Sequence, residues 1–314
     1  MSVNSKMTAI ADAIREKTGE SGTLTLDAMA AAIAGIETGG GGDTSAEDSL
    51  IERTITEYSN DRVQTVGHYA FAMCYSLTSA SFPSATSIGN LAFYYCSRLT
   101  SVNIPSATSI GLSAFYNCSS LTSVNIPSAT RIGTDAFYSC SRLTSVSFPA
   151  ATYIGTSAFY RCISLASVNF PAATYIGPSA FQDCSSLTSV SFPAVTSISN
   201  YAFRGCSSLT IVSFPAATSI GNSAFRDCSS LTIVSFPAAT YIGSYAFNRC
   251  IGLTNLLLTG SSVCTLSNSN AFTNTPIASG TGYVYVPSSL VTTYQAATNW
   301  TYYSAQISAY EDMA

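Results

Sequence analysis

The sequence predicts a repeat solenoid, mostly β with short helical turns, preceded by a small helical N-terminal segment. Three observations carry this. Cys74, Cys96, Cys118, Cys140, Cys162, Cys184, Cys206, Cys228 and Cys250 recur with a fixed 22-residue period and no slip. Phe71 through Phe247, Leu77 through Leu253 and Pro83 through Pro237 recur at the same interval. Charged residues are 9% of the 314 and hydrophobic ones 47%, against a usual quarter charged. Self-similarity at such a period marks units that bury their apolar face only by stacking on their neighbours.

Residues 4–36 read as two short helices. Ser5 caps the first, which carries Met7, Ile10, Ala11 and Ile14 on one face and stops at Thr18-Gly19. Thr25 caps the second, with Leu26, Met29, Ile33 and Ile36 on one face. Helices this short cannot bury enough surface to stand alone, so residues 1–36 are expected to dock on the array, on a copy of themselves or on another protein. Residues 37–49 are Gly-rich and read as a flexible linker.

The array is expected over residues 50–282. Its first unit is degenerate: Ile55 lies one period before Leu77, and Tyr69-Ala70-Phe71 falls in the A-F frame. Asp61 and Arg62 suit a polar end cap. In the unit beginning at Leu99, Val102 and Ile104 alternate as a strand with one buried face, which Pro105 ends. Ser109-Ile110-Gly111 is a second extended piece, and residues 113–118 have room for one helical turn with Ala114, Phe115 and Cys118 inward. At about 4.8 Å per repeat, nine or so units form a rod of about 45 Å. Ala271-Phe272 arrives three positions later than the period sets from Ala246-Phe247, so the frame slips near the end. Residues 283–314 form the closing cap: a strand at Tyr283-Val284-Tyr285-Val286, then an amphipathic helix over 288–300 with Leu290, Val291, Tyr294 and Ala297 inward, carrying the one Trp.

Composition excludes several functions. Residues 1–62 carry five Lys/Arg and eleven Asp/Glu; the remaining 252 carry seven Arg and five acidic groups. That is no basic stripe for phosphates, so no nucleic-acid partner is expected. No apolar run approaches the roughly 18 residues that cross a bilayer, and residues 1–36 lack the apolar core of a secretory signal, so neither membrane insertion nor ordinary export of a complete chain is expected. Cysteines one to a repeat lack the closely paired ligands of a zinc site. They read as a ladder of buried, reduced thiols, with Cys264, outside the frame, the one to differ. No cofactor or metal is expected.

Catalysis is poorly supported. His68 is the lone histidine, at a solvent-facing frame position shared with Asn90 and Thr134, and a nucleophile pair needs it beside an activated partner. Asp135, Asp183 and Asp227 are too dispersed for a glycosidase carboxylate pair. A non-enzymatic binding protein is the expectation.

The unit L-x-x-V-x-F/I-P-x-x-x-x-x-I-G-x-x-A-F-x-x-C-x closely resembles the BspA-type class of leucine-rich repeats over residues 50–300. That resemblance implies a right-handed solenoid and a role in adhesion, on bacterial surfaces or in proteins of gut bacteria and their phages. The closing Y-V-Y-V-P-S-S-L-V-T-T-Y-Q-A-A-T-N-W is similar to the terminal segment of that class. The head, M-T-A-I-A-D-A-I-R-E-K-T-G followed by L-T-L-D-A-M-A-A-A-I-A-G-I, is similar to N-terminal segments of phage and prophage tail-associated proteins. It implies a tail or self-association partner for residues 5–36 and a place on a phage virion, the alternative being a bacterial cell-surface adhesin.

Variation within the frame nominates the binding residues. The outward first-strand positions from Ser101 and Asn103 to Ser189 and Ser191 are monotonously Ser or Asn, and that face is expected to stay quiet. The two positions before each Cys instead hold Tyr94 and Tyr95, Tyr116, Tyr138, Tyr160 and Arg161, then Gln, Asp, Arg and Asn. The position before the I-G pair holds Tyr153, Tyr175 and Tyr241. Rigid aromatics among adaptable hydrogen bonders are the composition of recognition surfaces, and exposed Tyr rings stack on sugar faces. These nine residues are the candidate site for a host or bacterial surface glycan or protein.

Overall fold

A computed structural model describes residues 55–312; the expected helices of residues 4–36 and the linker of 37–49 lie outside them. The chain winds into coils, each giving one short strand to each of two faces. On one face a ten-stranded parallel sheet runs in strict sequence order, from Thr65–Val66 through Ser109–Ile110 and Tyr153–Ile154 to Thr265–Leu266. On the other, Glu57–Ser59, Ser79–Ser81, Ser101–Asn103 and Ser123–Asn125 form a four-stranded parallel sheet. An eight-stranded sheet continues it from Ser145–Ser147 to Ile307–Ala309. The break between the two coincides with the step from Ile126 to Phe148 in the column behind them.

Register follows from the repeat. Ser101, Val102 and Asn103 pair with Ser79, Ala80 and Ser81, and Ser109 and Ile110 pair with Ser87 and Ile88, each one period earlier. Leu, Val, Phe/Ile, Ile, Ala, Phe and Cys therefore stack in columns, almost all fully buried. The A-F phenylalanines form one continuous stack: Phe137, Phe159 and Phe181 lie 5.2 and 5.3 Å apart, within 4° of parallel. Two threonine columns tie each coil to the preceding one, as when Thr100 Oγ1 donates to Thr78 O at 2.8 Å and Thr108 Oγ1 to Thr86 O at 3.2 Å.

All ten cysteines are buried and none forms a disulfide. From Cys96 to Cys250 each in-frame thiol donates to the carbonyl of a Phe in the preceding coil, at 2.9–3.1 Å. Cys264 does not differ as expected. It is fully buried, and burial pushes its thiol up to about 12. The closing segment explains this: Trp300 Nε1 donates to Cys264 O at 2.7 Å, and Cys264 N donates to Tyr294 Oη at 2.8 Å. Phe272 lands 5.5 Å from Phe247 and nearly parallel to it, so the three extra residues are absorbed without breaking the stack.

Two expected helices change form. Within the coils, residues such as 113–118 make successive turns, not a helical turn. The residue before Ala and the residue before Cys, for example Ser113 at φ 51 and Asn117 at φ 56, are left-handed. This lets alternate N–H groups leave the coil: Ser113, Phe115 and Asn117 donate to Thr134, Ala136 and Tyr138 of the next coil at 2.7–2.8 Å. A right-handed turn would keep those donors local, so stacking with the neighbour wins over helix formation. At the C-terminus the expected helix of 288–300 is a 3-10 turn at Ser288–Leu290 and a short α-helix at Val291–Ala296. Tyr294 is buried, and Leu290, Val291 and Ala297 pack partly buried against the core.

Candidate functional site

The residue after each core Phe must point outward, and identical register stacks these residues into a ridge. Tyr94, Tyr116, Tyr138 and Tyr160 occupy successive rungs with ring centroids 5.2, 4.5 and 4.7 Å apart. Tyr95 joins edge-on to Tyr94 at 4.6 Å. Expected to stand fully outward, all five are instead half-buried, because each ring shields the next. Burial is the main cause that raises the phenols of Tyr94, Tyr116 and Tyr160; neighbouring phenols add to it at Tyr94 and Tyr116, and the Asp183 charge at Tyr160.

The column before Cys is constrained by the backbone. Tyr95, Asn117, Ser139, Arg161, Asp183, Gly205, Asp227 and Arg249 all have positive φ, from 55 to 74°. Asn, Asp and Gly accept that conformation most readily, which accounts for four of the eight without any ligand. Tyr95, Ser139, Arg161 and Arg249 are not explained this way.

On the long sheet, Tyr153 and Tyr175 are register partners stacked at 4.8 Å, and the Arg131 guanidinium lies 3.9 Å over Tyr153. Tyr241 is exposed three strands further on, paired with Ser219 and Thr265. The nine nominated residues thus form a ladder of five tyrosines running on to Arg161, a flanking pair, and a separate Tyr241.

The Ser/Asn strand face, expected to be quiet, carries a concave groove of about 430 Å³ along its four-stranded part, walled by Glu57, Tyr58, Ser101, Asn103, Ser123 and Asn125 among others. Its amides are spent on one another: Asn125 Nδ2 donates to Asn103 Oδ1 at 2.7 Å, and Asn103 Nδ2 to Ser81 Oγ at 3.2 Å. His68 has a backbone role. Its Nδ1 accepts from Asn90 N at 2.8 Å, as the side chains of Asn90, Asn200 and Asn222 accept from the next coil. An acceptor at Nδ1 places the neutral ring's proton on Nε2.

Sequence reasoning missed one constellation. Asp227 lies within 3.2 Å of Arg249 Nε, 3.4 Å of Arg226 Nε and 3.9 Å of Arg204 Nε. The signal was present, since these residues share the two frame positions that carry the tyrosines, but charge pairing across coils needs the side-chain geometry.

The BspA type leucine rich repeat region family matches in six copies over residues 64–188 and 174–297. The chain belongs to that family. Among solved structures, similar ones include a leucine rich cell surface protein from Faecalibacterium prausnitzii, 23% identical over 80% of this chain and 91% of that one, TM-score 0.41. Another is the leucine rich repeat protein of T. pallidum, 28% identical over 54% of this chain and 72% of that one, TM-score 0.41. A leucine-rich repeat protein from Bacteroides ovatus is 20% identical over 79% and 87%, TM-score 0.33. No curated protein sequence matches the chain.

Proposed function

We propose that this chain is a non-enzymatic adhesin whose array binds a surface glycan or protein through the ridge of Tyr94, Tyr95, Tyr116, Tyr138, Tyr160 and Arg161, with Tyr153 and Tyr175 on its flank. The carrying observation is the tyrosine ladder itself: five phenols held stacked, tilted or edge-on at 4.5–5.8 Å, half-buried yet open along one side. Mutual stacking fixes each ring, so a partner meets a rigid aromatic surface with little side-chain entropy left to lose. Family membership supports adhesion. The likeness of the head to tail-associated proteins supports a virion location, with residues 5–36 docking on the particle. A gene neighbourhood without tail genes would sink the virion location and leave a bacterial surface adhesin.

The test of the ridge is the triple change Tyr116→Ser, Tyr138→Ser and Tyr160→Ser. Each aromatic anchor contributes about 1–2 kcal/mol to binding, so adhesion of the folded variant to host cells should fall by well over tenfold. If that variant binds unchanged while Ser123→Arg or Asn125→Arg abolishes binding, the groove on the strand face is the site instead.

A further inference from the structure

The ridge changes chemistry half-way along. Its first four rungs carry tyrosines, the fourth with Arg161 beside Tyr160, and its later rungs carry Gln182, Asp183, Arg204, Arg226, Asp227 and Arg249. The coils stack in register throughout, at about 4.8 Å per rung, so the aromatic and charged halves form one continuous track. From Tyr94 to Arg226 there are six rung spacings, about 29 Å.

The charged half is cationic. Asp227 alone is shared by three guanidinium groups at 3.2–3.9 Å, and the four side chains remain 29–60% exposed. Asp183 belongs to the same track, its Oδ1 filling the space above Gly205 where a Cβ would stand. Counting both carboxylates against Arg161, Arg204, Arg226 and Arg249 leaves two positive charges unmatched. Each guanidinium brings five N–H donors, so donors exceed the available carboxylate oxygens several-fold. Arg226 Nε, shut off from solvent, makes no hydrogen bond despite lying 3.4 Å from Asp227 Oδ2, so even this ion pair is not an aligned fork. The cations here are all Arg, the side chain that grips carboxylate and sulfate bidentately.

We propose that this end of the ridge is an anion site, and that the ligand is an acidic polysaccharide, carboxylated or sulfated, lying along the track with sugar rings on the tyrosines and acid groups on Arg204, Arg226 and Arg249. This rests on the ridge reading above and adds the ligand's chemistry. A row of equivalent rings followed by a row of cations fits a repetitive, ring-bearing anion better than a protein, whose affinity concentrates in a few side chains filling pockets.

The experiment uses the full chain against immobilised polygalacturonate, hyaluronan, chondroitin sulfate and polysialic acid, with dextran, mannan and fully methyl-esterified polygalacturonate as neutral counterparts. At least one acidic polymer should be retained and its neutral counterparts not. Arg204→Gln with Arg226→Gln should weaken retention about tenfold or more. Arg249→Gln, whose side chain is 60% exposed, should weaken it without touching the fold. Arg98→Gln with Arg142→Gln, the same charge change off the ridge, should leave it unaltered. Equal weakening by that control pair would reduce the effect to net charge and overturn the proposal. Failure of every acidic polymer to bind would also overturn it, as would binding that ignores the cluster variants. In either case capture of a neutral glycan or a surface protein that still depends on Tyr138 would leave the ridge reading standing, and loss of that dependence would end both.

Discussion

Replacing Cys140, Cys162 and Cys184 by Ala tests the thiol ladder through pH. Each thiol is fully buried and donates to a Phe carbonyl at 3.1 Å. Those carbonyls also accept the local turn N–H, as Phe137 O does from Cys140 N at 3.1 Å, so losing the weak S–H donor orphans nothing. Removing one sulfur then costs about 1 kcal/mol, the scale of a buried methylene plus its cavity, or about 3 kcal/mol for the triple variant at pH 7. Burial holds all three thiols well above their ordinary value of 9.0. Their folded-state pKa exceeds the unfolded one, so the unfolded chain releases protons first, and stability present below pH 9 is lost as pH rises. At pH 9.5 the loss is about 0.8 kcal/mol per thiol. The variant lacks this loss at three sites, so its deficit should shrink from about 3 to about 0.6 kcal/mol between pH 7 and 9.5. Urea unfolding followed by circular dichroism under reducing conditions measures both proteins, and tyrosine ionisation cancels in the difference. A deficit that stays constant over that range would refute the buried-ladder reasoning. Eight thiols from Cys96 to Cys264 are raised in this way, so the parent protein should unfold on the alkaline side of about pH 10, where the summed loss rivals a typical total stability.

Phe159→Ala, in mid-stack between Phe137 and Phe181, should cost about 3–5 kcal/mol in the same urea assay; a cost below about 1 kcal/mol would mean the columns are not tightly packed. Gly133→Ala places a Cβ 2.6 Å from the Gly111 backbone, so the coils must part. Ser199 already shows how, since at that step the long sheet keeps one register pair, Ile176 with Ile198, where its neighbours keep two. The variant should lose about 1–3 kcal/mol and hydrogen-exchange protection at Gly133 and Ile132, and full protection would contradict the contact. Gly205→Ala should displace the Asp183 carboxylate from the space above Gly205 and strain a φ of 74°; unchanged stability would show that the carboxylate is held elsewhere. A thiol reagent should leave Cys264 as unmodified as the others until denaturant is added.

The columns, the register and the closing strand were legible because a fixed 22-residue interval forces equivalent residues into contact. Buried positions follow from periodicity alone. The A-F-x-x-C turn was not legible, because Ala, Phe and Cys at that spacing are equally placed inward by a helical turn and by the turns observed. What decides is the neighbour's Thr134, Ala136 and Tyr138 carbonyls drawing out alternate N–H groups, an interaction between coils that no single repeat displays. Cys264 went wrong for a related reason: leaving the frame does not mean leaving the core when Trp300 and Tyr294 are brought over it from far along the chain.

The candidate site was legible in position but not in cause. Asn117, Asp183, Gly205 and Asp227 looked like recognition variety, yet a left-handed backbone at that column favours Gly and Asx residues by itself. Large residues at the same column oppose that preference. Tyr95, Arg161 and Arg249 hold φ of 58–62° with no local hydrogen-bonding side chain to ease it, and each such residue carries a backbone cost on the order of 1 kcal/mol. The two positions of each rung therefore say different things. Tyr94, Tyr116, Tyr138 and Tyr160 are free choices that build a ladder. Tyr95, Arg161 and Arg249 are unfavourable choices, as is Met73 at φ 61° in the first coil, and the turn geometry does not account for them.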